Sequence, residues 1–210
     1  MLDGKPFSFA GGHEYLEAIY KDTSPDITVE KSAQMGISTW TVLDSLHGMR
    51  YGRYPLGVLY YFPSRVFISE FSKSKIQNII DENDLAGWFT ETDSSSIKKI
   101  GTSSLFLRRM GSRTGLKAVT GNLLIFDEVE EITDQSLIAL AMERLSHVEN
   151  PTIRRLSVPS LPGWGIDSFF LRTDQRFWLL KCQSCNEYTC MEDHAHNLEA
   201  CLHDLGDRVI

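Results

Sequence analysis

Short uninterrupted apolar runs alternate along this chain with longer segments whose apolar residues recur every three or four positions, and that alternation predicts strands separated by helices. The strand-like runs fall near residues 26–31, 57–62, 104–109, 122–127, 152–158 and 176–181. Asn122-Leu123-Leu124-Ile125-Phe126 is too short for a helix and apolar on both faces, which suits a strand buried on both sides of a parallel sheet. Helical spacing runs from His13 to Tyr20 and again from Ser38 to Met49, where Val42, Leu43, Leu46 and Met49 align. A longer stretch from Ser64 to Asn83 places Phe67, Ile68, Phe71, Ile76, Ile79 and Ile80 largely on one side. Further on, Thr133 or Asp134 can cap a helix bearing Leu137, Ile138, Ala141 and Leu145 on one face. These stripes read as core, and the order of elements predicts one doubly wound α/β domain. Two segments read as loops: Ser94-Ser95-Ser96, an exposed turn, and Met110 to Gly121, whose three glycines and two basic residues suit contact with a ligand or a neighbour.

Composition supports an enzyme-sized core, since 210 residues with 42% hydrophobic content can bury one large interior. No apolar stretch approaches a membrane span, and the N-terminus lacks a charged-then-apolar leader, so a soluble intracellular protein is expected. The four cysteines, two of them as Cys182-x-x-Cys185, argue for metal or free thiols over disulfides. A net charge of −7 disfavours nucleic acid as a partner of the whole surface. Lys98-Lys99, Arg108-Arg109, Arg113 and Lys117 nevertheless concentrate positive charge, either as a local binding patch or as an ordinary solvated face.

The chemistry lies at the ends of two strand-like runs. Lys31-Ser32-Ala33-Gln34-Met35-Gly36-Ile37-Ser38 joins the apolar Ile27-Thr28-Val29 to a helix. It fails the usual phosphate-loop pattern, because Lys31 stands where the first glycine belongs and Ile37 where the lysine belongs. The physical requirements are still met. Gly36 permits a tight turn, backbone N–H groups and a helix N-terminus face the anion, Ser38 with Thr39 offers a hydroxyl for magnesium, and Lys31 can fold its ammonium over the loop. The run 122–126 ends in Asp127-Glu128, where Asp127 can hold magnesium and Glu128 can orient or deprotonate a water. Ligands of open α/β sheets bind at that carboxyl edge, so the two segments read as halves of a nucleoside triphosphatase site.

At these residues the chain resembles the large terminase subunits of tailed phages, and within them the lambda-type (GpA) branch. The displaced lysine of Lys31-Ser-Ala-Gln-Met-Gly-Ile-Ser38 is similar to that branch's deviant Walker A loop. Pro6-Phe7 upstream, Asp127-Glu128, and Leu156-Ser157-Val158-Pro159 follow in the family's order. The resemblance covers about residues 5 to 190. It implies a P-loop NTPase of the ASCE type, an αβα sandwich with a mainly parallel sheet. It also implies an ATPase using ATP and Mg2+ to drive double-stranded DNA into a procapsid, with Lys31 to Thr39 binding ATP, Ser38 and Asp127 holding the ion, and Glu128 and Lys31 acting in catalysis. Ser157 falls at the family's coupling motif, which links hydrolysis to movement. Arg113 and Lys117 are equal candidates for an arginine-like finger offered to a neighbouring subunit, although a lysine there departs from the family pattern.

The resemblance further implies a portal protein and a small terminase subunit as partners, a homo-oligomeric ring in the working motor, and a place in the host cytoplasm and on the procapsid portal. An isolated domain is expected to be a slow, monomeric ATPase without the family's nuclease. Residues 1–175 are expected to form the ATPase domain and 176–210 an extension, in which Cys182 and Cys185 are candidate zinc ligands lacking a second pair. Two other functions share some of these residues. A helicase-like translocase would use Asp127-Glu128-Val129-Glu130 as its acidic box, and a zinc-stabilised module could bind nucleotide or DNA without hydrolysis.

Overall fold

The protein is described by a computed structural model for residues 1–90, 94–111, 116, 119–181 and 186–189. Arg113, Lys117, Cys182 and Cys185 lie outside the described residues. Met1–Thr173 forms one compact unit and a second begins at Asp174.

In the first unit the strands are β1 (Asp26–Glu30), β2 (Val58–Phe62), β3 (Ile97–Ile100), β4 (Ser103–Arg109), β5 (Leu123–Asp127) and β6 (Thr152–Ser157). They form a six-stranded sheet in the order β1-β6-β5-β2-β4-β3. Every pairing is parallel except β3 with β4. β6, late in the chain, stands between the strand that feeds the phosphate loop and the strand that ends in the acids. Both of those strands therefore discharge their following residues at the same edge. β3 was not legible as a strand, because Ile97-Lys98-Lys99-Ile100 mixes two lysines with two apolar residues. Pairing with β4 draws Lys98 into the interior at 3% exposure, which removes it from the basic surface patch expected from the sequence.

The helices are α1 (Glu14–Lys21), α2 (Ile37–Arg50), α3 (Arg65–Phe71), α4 (Asn78–Glu82), α5 (Ser136–Met142) and α6 (Gly165–Phe170). The single helix expected over 64–83 is broken in character. Between α3 and α4 the backbone opens into a π-helical segment, Ser72–Gln77. Ile68, Ile76, Ile79 and Ile80 are buried as the stripe predicts, whereas Phe67 is exposed. Gln135, one residue after the expected Asp134, stands at the N-cap of α5, while the Asp134 carboxylate accepts from Ser136 N at 3.0 Å.

Period-two alternation sorts the central strands onto two faces. Val58, Tyr60 and Phe62 of β2 and Leu123 and Ile125 of β5 pack with Val42 and Leu46 of α2. Leu59 and Tyr61, with Leu124 and Phe126, pack with Ile138 of α5 and Ile166 of α6. The sheet is thus covered on both sides, giving the expected αβα sandwich. That parity matters for the site, because Asp127 continues the series of Leu123 and Ile125 and so faces the helix that starts at the phosphate loop.

In the second unit, Leu180–Lys181 (β7) and Tyr188–Thr189 (β8) form a short antiparallel pair. No helix among the described residues is long and apolar enough to cross a membrane.

Candidate nucleotide-binding site

The loop after β1 is held in place by α1 before any ligand is considered. Glu14 opens that helix by accepting from the N–H groups of Gly11 and Gly12, both at 3.1 Å. Tyr15 Oη donates to the Met35 carbonyl at 2.7 Å, tying the helix to the loop. Gly36 has φ +74°, and a Cβ there would press within 3.2 Å of Leu16 Cδ1, so glycine serves both the turn and the packing. Gln34 also takes the left-handed conformation, at φ +61°. Ser32, Ala33 and Gln34 are exposed, which leaves the rim of the loop open. The helix then starts at Ile37, and its first N–H groups lack intrahelical partners, the usual provision for an anion.

Across from the loop stands the acid pair. Asp127 is 2% exposed at the tip of β5 and its two oxygens are both engaged: Oδ1 accepts from Glu128 N at 3.0 Å and Oδ2 from Tyr60 Oη at 2.7 Å. Burial pushes Asp127 up to about 6, an effect that the Tyr60 hydrogen bond opposes, Glu128 reinforces, and Lys31 and Ser38 oppose. Tyr60 Oη in turn lies 2.9 Å from Thr41 Oγ1, which also reaches the Ser38 carbonyl at 2.9 Å. A buried hydroxyl chain therefore joins the acid strand to the first turn of α2. Burial, with the negative charge of Asp127 behind it, raises Tyr60 well above the ordinary phenol range, so the phenol stays protonated as a donor.

Glu128 is held in an unusual posture. Its φ is +54°, a left-handed conformation that a non-glycine residue adopts at a cost of about 1–3 kcal/mol and that recurs at functional sites. The side chain accepts from Lys31 Nζ at 3.0 Å, with the lysine side chain only 7% exposed. Lys31 N also donates to the Ser157 carbonyl at 3.0 Å, continuing the β1–β6 register past Glu30↔Ser157. Ser157, fully buried at the tip of β6, sets its hydroxyl 3.5 Å from Glu128 Oε2 and accepts from Glu130 N at 3.2 Å.

One residue further, Glu130 ties this corner to the next helix. Its carboxylate accepts from Ile166 N at 3.1 Å and from the Ser160 hydroxyl. Gly165, at φ +53°, leaves room for it: a Cβ there would fall 1.8 Å from Glu130 Oε2.

The structure brings together Lys31, Ser38, Asp127, Glu128 and Ser157 as the sequence suggested, with the 32–36 loop beside them. It adds Tyr60 and Thr41, which the sequence reading missed, and Glu130, which that reading named only within an acidic box. A phenol inside the doubly buried run Val58–Phe62 was the available signal, since a buried hydroxyl requires a partner. Nothing in the local sequence distinguishes Glu130 from its acidic neighbours.

Magnesium fits this donor set. It takes few protein oxygens and leaves its other positions to water and substrate phosphates, so one carboxylate and one hydroxyl suffice.

A loop at the head of a helix, paired with a carboxylate at the tip of a strand two places away in a mainly parallel sheet, is the arrangement of the P-loop NTPase fold. The family model for the phage terminase large subunit gpA, ATPase domain, matches residues 12–200, and the chain belongs to that family. Solved structures agree in fold. The ATPase domain of the Thermus phage P74-26 large terminase superposes with a TM-score of 0.63 at 12% identity, covering 97% of this chain and 90% of that one. A mutant of the same domain gives 0.61, also at 12% identity, with 97% and 90% covered. The large terminase of a thermophilic bacteriophage gives 0.54 at 14% identity, covering 80% of this chain and 43% of that one. No curated protein sequence matches the chain.

Proposed function

We propose that this domain hydrolyses ATP with Mg2+ to drive double-stranded DNA into a phage procapsid. The observation that carries the reading is the convergence of Lys31 and Glu128, 97 residues apart in sequence, beside the buried Asp127 and the open loop. Residues 31–39 bind the nucleotide, and Ser38 with Asp127 holds the ion. Bound magnesium supplies charge neutralisation at the phosphate oxygens. Glu128 takes the proton of the attacking water, its left-handed backbone aiming the carboxylate toward the loop. Lys31 offsets the charge that develops on the terminal phosphate, across from Glu128 as base. Ser157 senses the change through Glu128 and passes it to the segment leading into α6.

On this reading residues 1–175 are the motor domain and 176–210 an extension with Cys182 and Cys185 as candidate zinc ligands. Arg113 or Lys117 serves a neighbouring subunit in a ring on the portal, with the small terminase subunit as a further partner, in the host cytoplasm. The test is magnesium-dependent phosphate release from ATP. Wild-type protein is expected to turn over, and E128Q to lose about a hundredfold or more while still binding nucleotide. Equal inactivity of both proteins, with nucleotide binding retained, would overturn hydrolysis in favour of a binding module.

A further inference from the structure

We propose that Lys75 is a second phosphate-binding cation of the nucleotide site, reaching the part of the polyphosphate shared by ATP and ADP from the side opposite Lys31. The inference rests on the nucleotide reading above and adds to it a residue from a different part of the chain.

The first observation is geometric. Lys75 Nζ donates to Thr39 Oγ1 at 3.0 Å, across 36 residues of sequence. Thr39 is the third residue of α2 and follows Ser38 directly, so the ammonium is anchored on the first turn of the helix that heads the phosphate loop. The two lysines approach from different flanks. Lys31 leaves β1, at one edge of the sheet, whereas Lys75 follows β2 and the helix that packs on β2 and β4.

Charge gives the second argument. Lys75 is half-buried, and among the described residues its partner is a neutral hydroxyl with no carboxylate within ion-pair distance. Its positive charge is therefore uncompensated where it stands. The loop itself is poor in cations, with Ile37 at the position usually held by lysine and the Lys31 ammonium bonded to Glu128. A nucleotide triphosphate brings several negative charges into this corner, and catalysis of phosphoryl transfer depends on donors and cations positioned around them. Lys75 supplies the missing charge on the flank that Lys31 does not reach.

Backbone shape is the third. Lys75 lies within the π-helical segment Ser72–Gln77, and such wide turns are rare and frequent at functional sites. The same segment buries Ile76 completely, which fixes the backbone from which the lysine extends.

Binding of fluorescent mant-ATP and mant-ADP to the whole chain, with magnesium, tests this. K75Q keeps most of the stem and removes the charge. It is expected to weaken both nucleotides by about tenfold and to reduce the salt dependence of binding, while K75R restores affinity to within about threefold. Unchanged affinity in K75Q overturns the proposal. Weakening of mant-ATP alone overturns the placement, since that assigns the charge to the terminal phosphate. Weakening that K75R does not relieve, with salt dependence unchanged, assigns Lys75 a packing role and also overturns it. If wild-type protein binds neither nucleotide, the functional reading fails first and Lys75 falls with it.

Discussion

The Lys31 ammonium and the Glu128 carboxylate meet at 3.0 Å and offset each other's charge. Lys31 N also donates to the Ser157 carbonyl, and Glu128 holds a left-handed backbone. K31A is expected to lower ATP turnover by about a hundredfold or more, through lost stabilisation of transition-state charge. Steady-state phosphate release measures it, and a K31A enzyme as fast as wild type would remove the displaced lysine from the mechanism.

Tyr60 extends the site into the core. Y60F deletes the donor to Asp127 Oδ2 and the link to Thr41 while keeping the ring stacked on Phe62 at 4.6 Å between centroids. The variant is expected to lose about 1–3 kcal/mol of folding stability and to need several-fold more magnesium for half-maximal turnover. Chemical denaturation and a magnesium titration read the two effects separately. A Y60F protein with wild-type values in both would show the hydroxyl chain to be idle.

Asp127 makes metal-free protein sensitive to pH in a definite direction. The folded carboxyl titrates near 6 against an ordinary 3.8, chiefly because burial disfavours its charge. A raised folded value favours the protonated native state, so its stabilising contribution is full below about 3.8 and is lost as pH rises toward 6. Above that range the buried charge costs roughly 3 kcal/mol. D127N keeps an oxygen for Tyr60 but gives up the acceptor for Glu128 N, so its stability relative to wild type should rise by about 3 kcal/mol between pH 4 and pH 7.5 in chelator. Equal denaturation midpoints at both pH values would contradict the burial argument.

Gly165 and Glu130 form a second coupled pair. G165A places a methyl group on the Glu130 carboxylate and asks a non-glycine residue to adopt φ +53°, so a loss of about 1–3 kcal/mol is expected. E130A alone leaves Ile166 N–H and the Ser160 hydroxyl without their acceptor. The double variant should cost less than the two single costs together, because removing the carboxylate removes the collision. Strict additivity in denaturation would place the two residues out of contact.

Ser157 completes the set. S157A removes the acceptor of Glu130 N and the hydroxyl facing Glu128, with no change in the loop that would bind nucleotide. Turnover is expected to fall about tenfold or more while mant-ATP affinity stays within about threefold of wild type. Parallel losses in both would make Ser157 a fold determinant only.

Much of the fold was readable along the chain because the signals are local. The run Leu123–Phe126 is apolar at every position, and the structure buries all of it between two helical layers. Gly36 announced the turn into α2, and its positive φ bears that out. β3 escaped notice because its two lysines disguise a strand that only pairing with β4 defines. The break in the 64–83 helix escaped for a related reason, since a π turn changes hydrogen bonding without changing the residue types that promote helix.

The sequence by itself determined the buried strands, the main helical stripes, the glycine turn into α2 and the acid pair at the tip of β5, since residue period and turn chemistry act over a few positions. Tertiary structure decided which groups meet. Placing β6 between β1 and β5 brings Lys31 to Glu128 and to the Ser157 carbonyl, and strand parity turns Tyr60 and Asp127 toward α2. The π-helical turn carries Lys75 to Thr39. These contacts depend on register between segments tens of residues apart, and no local pattern encodes that register.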